Sequence, residues 1–374
     1  MMIRSFLPVG QGAFYCEQFS VYSEEKVNVI YDCGSATDIQ LVEQQIRNTF
    51  EKGETIHAVF ISHLDDDHIN GIPYLLKYCK VEKMFFPLVT RTDVKYVILH
   101  NMMKGVNEDT FILQFINNPY NAFGQLELDN IPRLYQISAG EQADGVIDAR
   151  VILSGFNVAN EIFEDSLKGH WLYNKWMYIP HNFRRSERVN ELQAELNRLF
   201  GKNMENEDLL NIWENGTKNE QETVKSAYRK VKGSFNTNSM TLYSGTQKAI
   251  RGQRVACSAY DRCWCEEIWN RRAIGCLYTG DYDASGKYKW KSLSDAYSTY
   301  WNNIGCVQIP HHGPKHNYNK ELAKLKAYYV MSAGMCNRYK HPHTMVIKDL
   351  LFYGHFPYIV TENKTSELHL IVDF

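Results

Sequence analysis

Within six residues of Ser62-His63-Leu64-Asp65-Asp66-Asp67-His68, His63, Asp65, Asp67 and His68 stand out as four candidate metal ligands. Neutral imidazoles and ionised carboxylates suit divalent cations of the zinc or manganese kind. A run that only favoured a helix dipole would need the aspartates but not two histidines. The cluster follows the apolar run 56–61, so it should sit just beyond the carboxyl end of a strand, where a turn can bring the four side chains together.

The elements around it follow from periodicity. Residues 4–9, 13–22 and 27–31 read as strands separated by Gly10-Gln11-Gly12 and closed by Asp32-Cys33-Gly34-Ser35. Residues 38–51 and 72–78 have helical spacing, and 83–86 is a short strand before Pro87. Further strands are expected at 134–138, 149–153, 239–244 and 273–278. A final β/α section has strands at 305–309, 327–332, 358–361 and 367–372, and helices at 320–326 and 344–353. Between 157 and 232 the composition shifts to Glu, Asn, Lys and Arg at helical spacing, a helical insertion, and 245–270 reads as a smaller one. No repeat or low-complexity linker divides the 374 residues, so one enlarged α/β domain is expected.

Hydrophobic residues make up 44% of the chain and charged residues 22%, a globular composition. A net charge of -2 gives no global basic field, so a nucleic-acid partner would be held by a local patch or through the metal. With no signal-like amino terminus and no run long enough to span a membrane, the expectation is a cytoplasmic protein. The nine cysteines are odd in number and scattered, unlike a disulfide framework, and Cys263-x-Cys265 has no second pair at zinc-finger spacing. In the insertion, Arg184, Arg185, Arg188 and Arg198 with Phe183 would offer phosphates a basic face. Glu187, Glu191 and Glu195 interleave with them, which favours a solvated helix face. His170, Trp171, Trp176 and His181 are expected to serve packing.

Ser-His-x-Asp-x-Asp-His-Ile-x-Gly at 62–71 resembles the H-x-[H/D]-x-D-H signature of metallo-β-lactamase-fold hydrolases. Tyr278-Thr279-Gly280-Asp281 resembles the T-G-D that supplies a bridging aspartate, and Ile309-Pro310-His311-His312-Gly313 the late histidine motif, in the same order. Val9-Gly10-Gln11-Gly12, Tyr31-Asp32-Cys33-Gly34, Asn238-Ser239-x-Thr-Leu and His341-Pro342-His343 are similar to the soluble domain of the DNA-uptake protein ComEC, in stand-alone form. The likeness spans 3–155 and 235–374 and leaves the helical insertion uncovered. It implies a metallo-β-lactamase αββα sandwich with a helical insertion, and a metal-dependent hydrolase of the phosphodiesterase or nuclease type with DNA as substrate.

By that resemblance His63 and Asp65 hold one metal, Asp67 and His68 a second, Asp281 bridges them and His312 is the last ligand, with His311 as its alternative. Zinc or manganese is implied, as one ion or two. The family's further histidine between the first motif and the T-G-D is missing, and Asn236-Thr237-Asn238-Ser239 stands in its place. Cations at such a cluster lower the pKa of water and neutralise charge on phosphoryl oxygens. Asp67 therefore counts as catalytic as well as ligating. His341, four residues after Asn337 as in the family's N-x-x-x-H-P motif, would protonate a leaving oxygen. Asp32 would orient a metal-bound histidine, Gly10 and Gly12 would permit close backbone approach, and His343 would be structural. Two other functions fit the residues: hydrolysis of a small cyclic nucleotide, lactone or thioester beneath the insertion, and docking of a protein partner through the insertion by a metal-binding protein.

Overall fold

The computed structural model describes the chain except residues 21–25, 89, 91–93, 96, 100–102, 104–109, 141–146, 164–171, 173–174, 184–185, 232–238 and 257–271, and gives the backbone alone at 186–189. Cys263 and Cys265, His170 and Trp171, Asn236 to Asn238, and the side chains of Arg184, Arg185 and Arg188 lie outside the described residues.

Two sheets carry the fold. The ten-stranded sheet runs, in spatial order, Arg272–Ala273, Arg251–Val255, Leu368–Val372, Met2–Phe6, Gly12–Ser20, Lys26–Ser35, Ala58–Phe60, Lys83–Pro87, Arg133–Ser138 and Arg150–Leu153. It is antiparallel up to Lys26–Ser35 and parallel beyond. The six-stranded sheet orders Trp176–His181, Thr241–Thr246, Gly275–Tyr278, Ile304–Gln308, Tyr328–Ser332 and Pro357–Val360, and becomes parallel from Gly275–Tyr278 onward.

Alternation along the strands separates the buried residues into layers, because successive side chains point to opposite faces. Phe6, Tyr15, Tyr31, Phe60 and Phe85 of the first sheet share one core with Tyr178, Leu242, Tyr278, Cys306 and Val330 of the second. Tyr31 stacks on Tyr278 across the gap, with ring centroids 4.9 Å apart. The outward residues Phe14, Ile30, Val59, Met84 and Phe86 pack under helices Ile39–Thr49, Ile72–Tyr78 and Phe111–Asn117. On the far face Tyr243, Leu277, Val307 and Tyr329 pack under Gly286–Ala296 and Thr344–Phe352. Helix, sheet, sheet and helix form an αββα sandwich.

Helices Ser186–Phe200, Asn206–Asn215 and Lys218–Lys230 set Leu192, Leu196, Leu209, Ile212, Val224 and Tyr228 into the same core as Ile39–Thr49. They thicken the outer layer of the first sheet. The region 157–232 also contains Trp176–His181, an edge strand whose Trp176, Tyr178 and Ile179 are buried. The helical spacing that runs through the end of this region belongs to two helices, since Gly216-Thr217 ends one and Thr217 caps the next with its hydroxyl on Glu220 N–H. Arg198 pairs with Glu195 at 2.7 Å on the surface.

A buried ionic knot lies between the sheets. The Glu17 carboxylate accepts from Arg4 Nε (2.8 Å), Tyr278 OH (2.9 Å), Tyr178 OH (2.8 Å) and Ser244 Oγ (2.6 Å). Arg4 is fully buried, so this carboxylate is what neutralises it, and the knot pins the strand that leads into Thr279-Gly280-Asp281. Among the described residues no helix is long and apolar enough to cross a membrane.

Candidate metal centre

His63 and Asp65 leave the end of Ala58–Phe60, and Asp67 and His68 lie on the short helix Asp66–Ile69 that follows. That helix is drawn tightly against Lys26–Ser35. A Cβ at Gly34 would stand 2.7 Å from both Asp67 C and His68 N, so only glycine admits the approach. Asp281 follows Gly275–Tyr278, and His312 follows Ile304–Gln308. Three strand ends from the two sheets thus meet at one edge of the sandwich.

His63, His68 and Asp281 offer ligand atoms all within 4.8 Å of one another, and so do Asp67, His68 and His312. The two groups share His68, and within the first Asp281 has Oδ2 3.7 Å from His63 Nε2 and Oδ1 3.3 Å from His68 Nε2. Asp65 Oδ2 stays on the His63 side at 3.8 Å. Asp67 Oδ2 faces His68 Nε2 at 3.9 Å and His312 Nε2 at 3.5 Å. His311 turns to Asp281 Oδ2 at 2.8 Å, so His312 joins Asp67 and His68 while His311 reaches the centre through Asp281.

Each inner histidine is held by its other nitrogen. His68 Nδ1 meets Asp32 Oδ2 at 2.8 Å, and His312 Nδ1 donates to the Ser332 carbonyl at 2.7 Å. Ser62 Oγ donates to Asp32 Oδ2 (2.7 Å), which leaves the oxygen to accept from His63 Nδ1 at 2.9 Å. These partners fix the tautomers and aim Nε2 inward. The Nε2 atoms of His63, His68 and His312 are buried and make no hydrogen bond among the described residues. Three aimed imidazole nitrogens beside carboxylates suit a divalent metal ion, and the residues fit one.

The charges agree. Burial opposes ionisation of Asp281, yet His311 and His68 hold it well below the usual carboxylate range. Burial likewise opposes Asp67, and His68 with His312 lowers it. Burial disfavours charge on His68, but Asp281, Asp32 and Asp67 raise it well above an ordinary histidine. His63 goes the other way, lowered by burial and by His68. Carboxylates and histidines of this centre thus offset one another's charge, and a metal would displace protons to enter.

His341 is half-buried beside His311, with rings 6.1 Å apart. Burial, then His311 and His312, lowers it to about 4, so the ring is neutral near pH 7. His343 caps helix Thr344–Phe352 by accepting Met345 N–H at 3.1 Å. Ser239 lies behind the centre: its Oγ accepts Asp281 N–H at 3.0 Å and is 3.5 Å from His63 Nδ1, on the side away from Nε2.

Sequence reasoning passed over Gln308 and Ser332. Gln308 Oε1 accepts the N–H groups of Thr279 (2.7 Å) and Gly280 (2.8 Å), which shapes the turn that presents Asp281. An amide ending the otherwise apolar run Ile304-Gly305-Cys306-Val307 was its visible signal. Ser332 acts through its carbonyl, which no residue type announces.

Residues 19–87 match the metallo-beta-lactamase superfamily profile, a span that takes in Asp32 and the cluster 63–68. The chain has the metallo-β-lactamase fold. Over 99 residues it is 31% identical to a ribonuclease Z from Ignicoccus hospitalis, a stretch of 26% of this chain and 29% of that protein. It is also similar to two solved structures. One is MEM-A1, a subclass B3 metallo-beta-lactamase from a soil metagenome library, at 11% identity and TM-score 0.30 over 86% of this chain and 80% of that one. The other is the metallo-beta-lactamase MIM-1 from Novosphingobium pentaromativorans, at 12% and 0.28 over 94% and 88%. Superpositions this loose say nothing about substrate.

Proposed function

We propose that this chain is a metal-dependent hydrolase that cleaves phosphodiester bonds of nucleic acid, DNA foremost, using zinc or manganese. The observation that carries the reading is the pair of adjoining ligand groups, His63 with His68 and Asp281, and Asp67 with His68 and His312, which meet at His68. Two adjoining groups of this kind suit a pair of neighbouring cations better than one isolated ion. His63 and Asp65 would hold the first, Asp67, His68 and His312 the second, with Asp281 shared. Such ions supply a nucleophile from water at neutral pH and neutralise charge on phosphoryl oxygens.

The chain's own groups supply position. Asp32, Ser62 and the Ser332 carbonyl hold the ring planes, and Gln308 holds the Asp281 turn. His311 keeps Asp281 Oδ2 fixed. His341, neutral near pH 7, is placed to give a hydrogen bond from its ring N–H to a leaving oxygen. The ribonuclease Z likeness brings RNA into the same substrate class, and the ComEC-like motifs outside 19–87 favour DNA. In this reading the chain is one cytoplasmic domain, with 157–232 and 245–270 as insertions.

The test is metal-loaded protein against single- and double-stranded DNA, RNA, a generic phosphodiester and carboxylic esters, with Asp67→Ala beside wild type. We expect nucleic-acid cleavage that falls at least roughly a hundredfold in the variant, since Asp67 helps hold several kcal/mol of charge stabilisation. Turnover confined to esters would sink the proposal.

A further inference from the structure

The loop from Ala333 to His343, between strand Tyr328–Ser332 and helix Thr344–Phe352, is built in a way the metal centre does not require. Asn337 clamps it from inside: Oδ1 accepts His341 N–H at 2.8 Å, while Nδ2 donates to the carbonyls of His341 (2.7 Å) and Gly334 (2.6 Å). Lys340 takes a φ of 57° without being glycine, a conformation that L side chains adopt at a cost. The outcome is a division of side chains. His341 turns inward toward His311, and Arg338, Tyr339 and Lys340 turn out.

Tyr339 leaves 56% of its surface in solvent, although an aromatic ring gains by burial. It also stacks on His341, with centroids 5.7 Å apart and planes 14° from parallel. His341 lies 6.1 Å from His311, which holds Asp281. An unbroken run of rings thus leads from solvent to the shared carboxylate. Arg338 lies over the Tyr339 ring at 4.9 Å, Lys340 follows, and residues 333–343 contain no Asp or Glu. In a chain of net charge -2 this is a local positive, aromatic surface at the reacting end of the fold.

We propose that Tyr339, with Arg338 and Lys340, forms a subsite for an unpaired nucleic-acid strand, stacking one base on the ring and holding the adjoining phosphates by the two cations. The inference rests on the nucleic-acid reading of the metal centre and narrows it to single strands. Every base has a π-face, but only an unpaired base can bring it flat against a protein ring. The ring-to-ring steps of 5.7 and 6.1 Å put an upper limit on the separation of Tyr339 from His311. At about 3.4 Å per nucleotide along a stacked strand, a base on Tyr339 places a phosphate no more than about three or four positions away beside His311. Arg338 is long and exposed enough to leave the ring for a phosphate as the base arrives.

The experiment measures binding, separately from cleavage, by fluorescence anisotropy. Full-length Asp67→Ala protein is titrated onto a labelled oligothymidylate, the same strand in a duplex, and an abasic strand of equal length. Base stacking is worth roughly 1–3 kcal/mol, so adding Tyr339→Ala should weaken oligothymidylate binding about 5- to 150-fold. Tyr339→Phe should stay within about twofold, and the abasic strand should not distinguish Tyr339 from Ala. Equal loss on the abasic strand, unchanged affinity for oligothymidylate, or no binding by the parent protein would each overturn the subsite. Nuclease activity with a Tyr339-independent KM removes the subsite and keeps the nuclease. Tyr339-dependent binding by a protein that hydrolyses no phosphodiester does the reverse.

Discussion

Asp32→Asn isolates one atom's work. Asp32 is fully buried at φ 57°, where asparagine is tolerated and alanine is strained, so the amide removes charge without breaking the backbone. The carboxylate now takes three donors: Ser62 N–H at 2.6 Å, Ser62 Oγ at 2.7 Å and His68 Nδ1 at 2.8 Å. The amide oxygen can keep Ser62 N–H, which turns the amide nitrogen toward the hydroxyl and the ring. The hydroxyl can rotate to accept, but His68 Nδ1 can accept only by moving its proton to Nε2, the atom a cation needs. One charge-assisted bond is lost, roughly 1.5–3 kcal/mol, and supporting partners of this kind typically tune metal affinity about 10- to 100-fold. Zinc competition against a chromophoric chelator should show that loss at unchanged saturating stoichiometry, with circular dichroism confirming the fold. An affinity within about twofold of wild type in a folded variant would refute the argument that Asp32 sets the His68 tautomer.

Gly34→Ala forces a Cβ to 2.7 Å from the backbone of Asp67 and His68, which cannot yield as a side chain would. It should lower stability by roughly 1–3 kcal/mol in urea melts and weaken metal binding, whereas Gly124→Ala, with nothing within 4 Å, should not. Glu17→Ala strands the buried Arg4 and should cost about 3–5 kcal/mol in thermal unfolding; Arg4→Met with Glu17→Leu should cost less, and the opposite order would contradict the knot's role. Burial holds His57 down to about 4, with Glu82 opposing and Lys83 and Lys80 assisting. Between pH 6.5 and about 4 the unfolded chain binds a proton that the folded one refuses, so stability is full above pH 6.5 and falls as pH drops through that window. The loss is at most roughly 3 kcal/mol, and denaturation in chelator at pH 7 and 4.5 should give a shallower pH slope for His57→Gln than for wild type.

Much of the sheet was legible because strands announce themselves locally. Runs such as 27–31 and 305–309 carry β-branched and apolar residues between turn signals; the first lies within Lys26–Ser35, and the second overlaps Ile304–Gln308 except for Ile309. Helix Gly286–Ala296 was not legible: Lys287-Tyr288-Lys289-Trp290-Lys291 alternates with a period of two, and Leu293 is its one fully buried side chain. Helix Phe111–Asn117 gave no clean helical spacing, since four of its seven residues are buried in the outer layer. Trp176–His181 was hidden because an edge strand among polar helices is recognisable only once Thr241–Thr246 pairs with it.

By itself, the sequence determined which groups are available for chemistry. The ligand types at 63–68 lie close together in the chain, and their place at a strand end follows from the apolar run before them. Only tertiary structure decided how they act. Asp281 and His312 lie more than 200 residues away in the chain, and only the packing of the two sheets on each other, Tyr31 on Tyr278 included, brings their strand ends to a common edge. Which nitrogen each histidine presents is set by Asp32, Ser62 and the Ser332 carbonyl. Such hydrogen bonds join residues with no local relation, and a periodicity of two or 3.6 carries no trace of them.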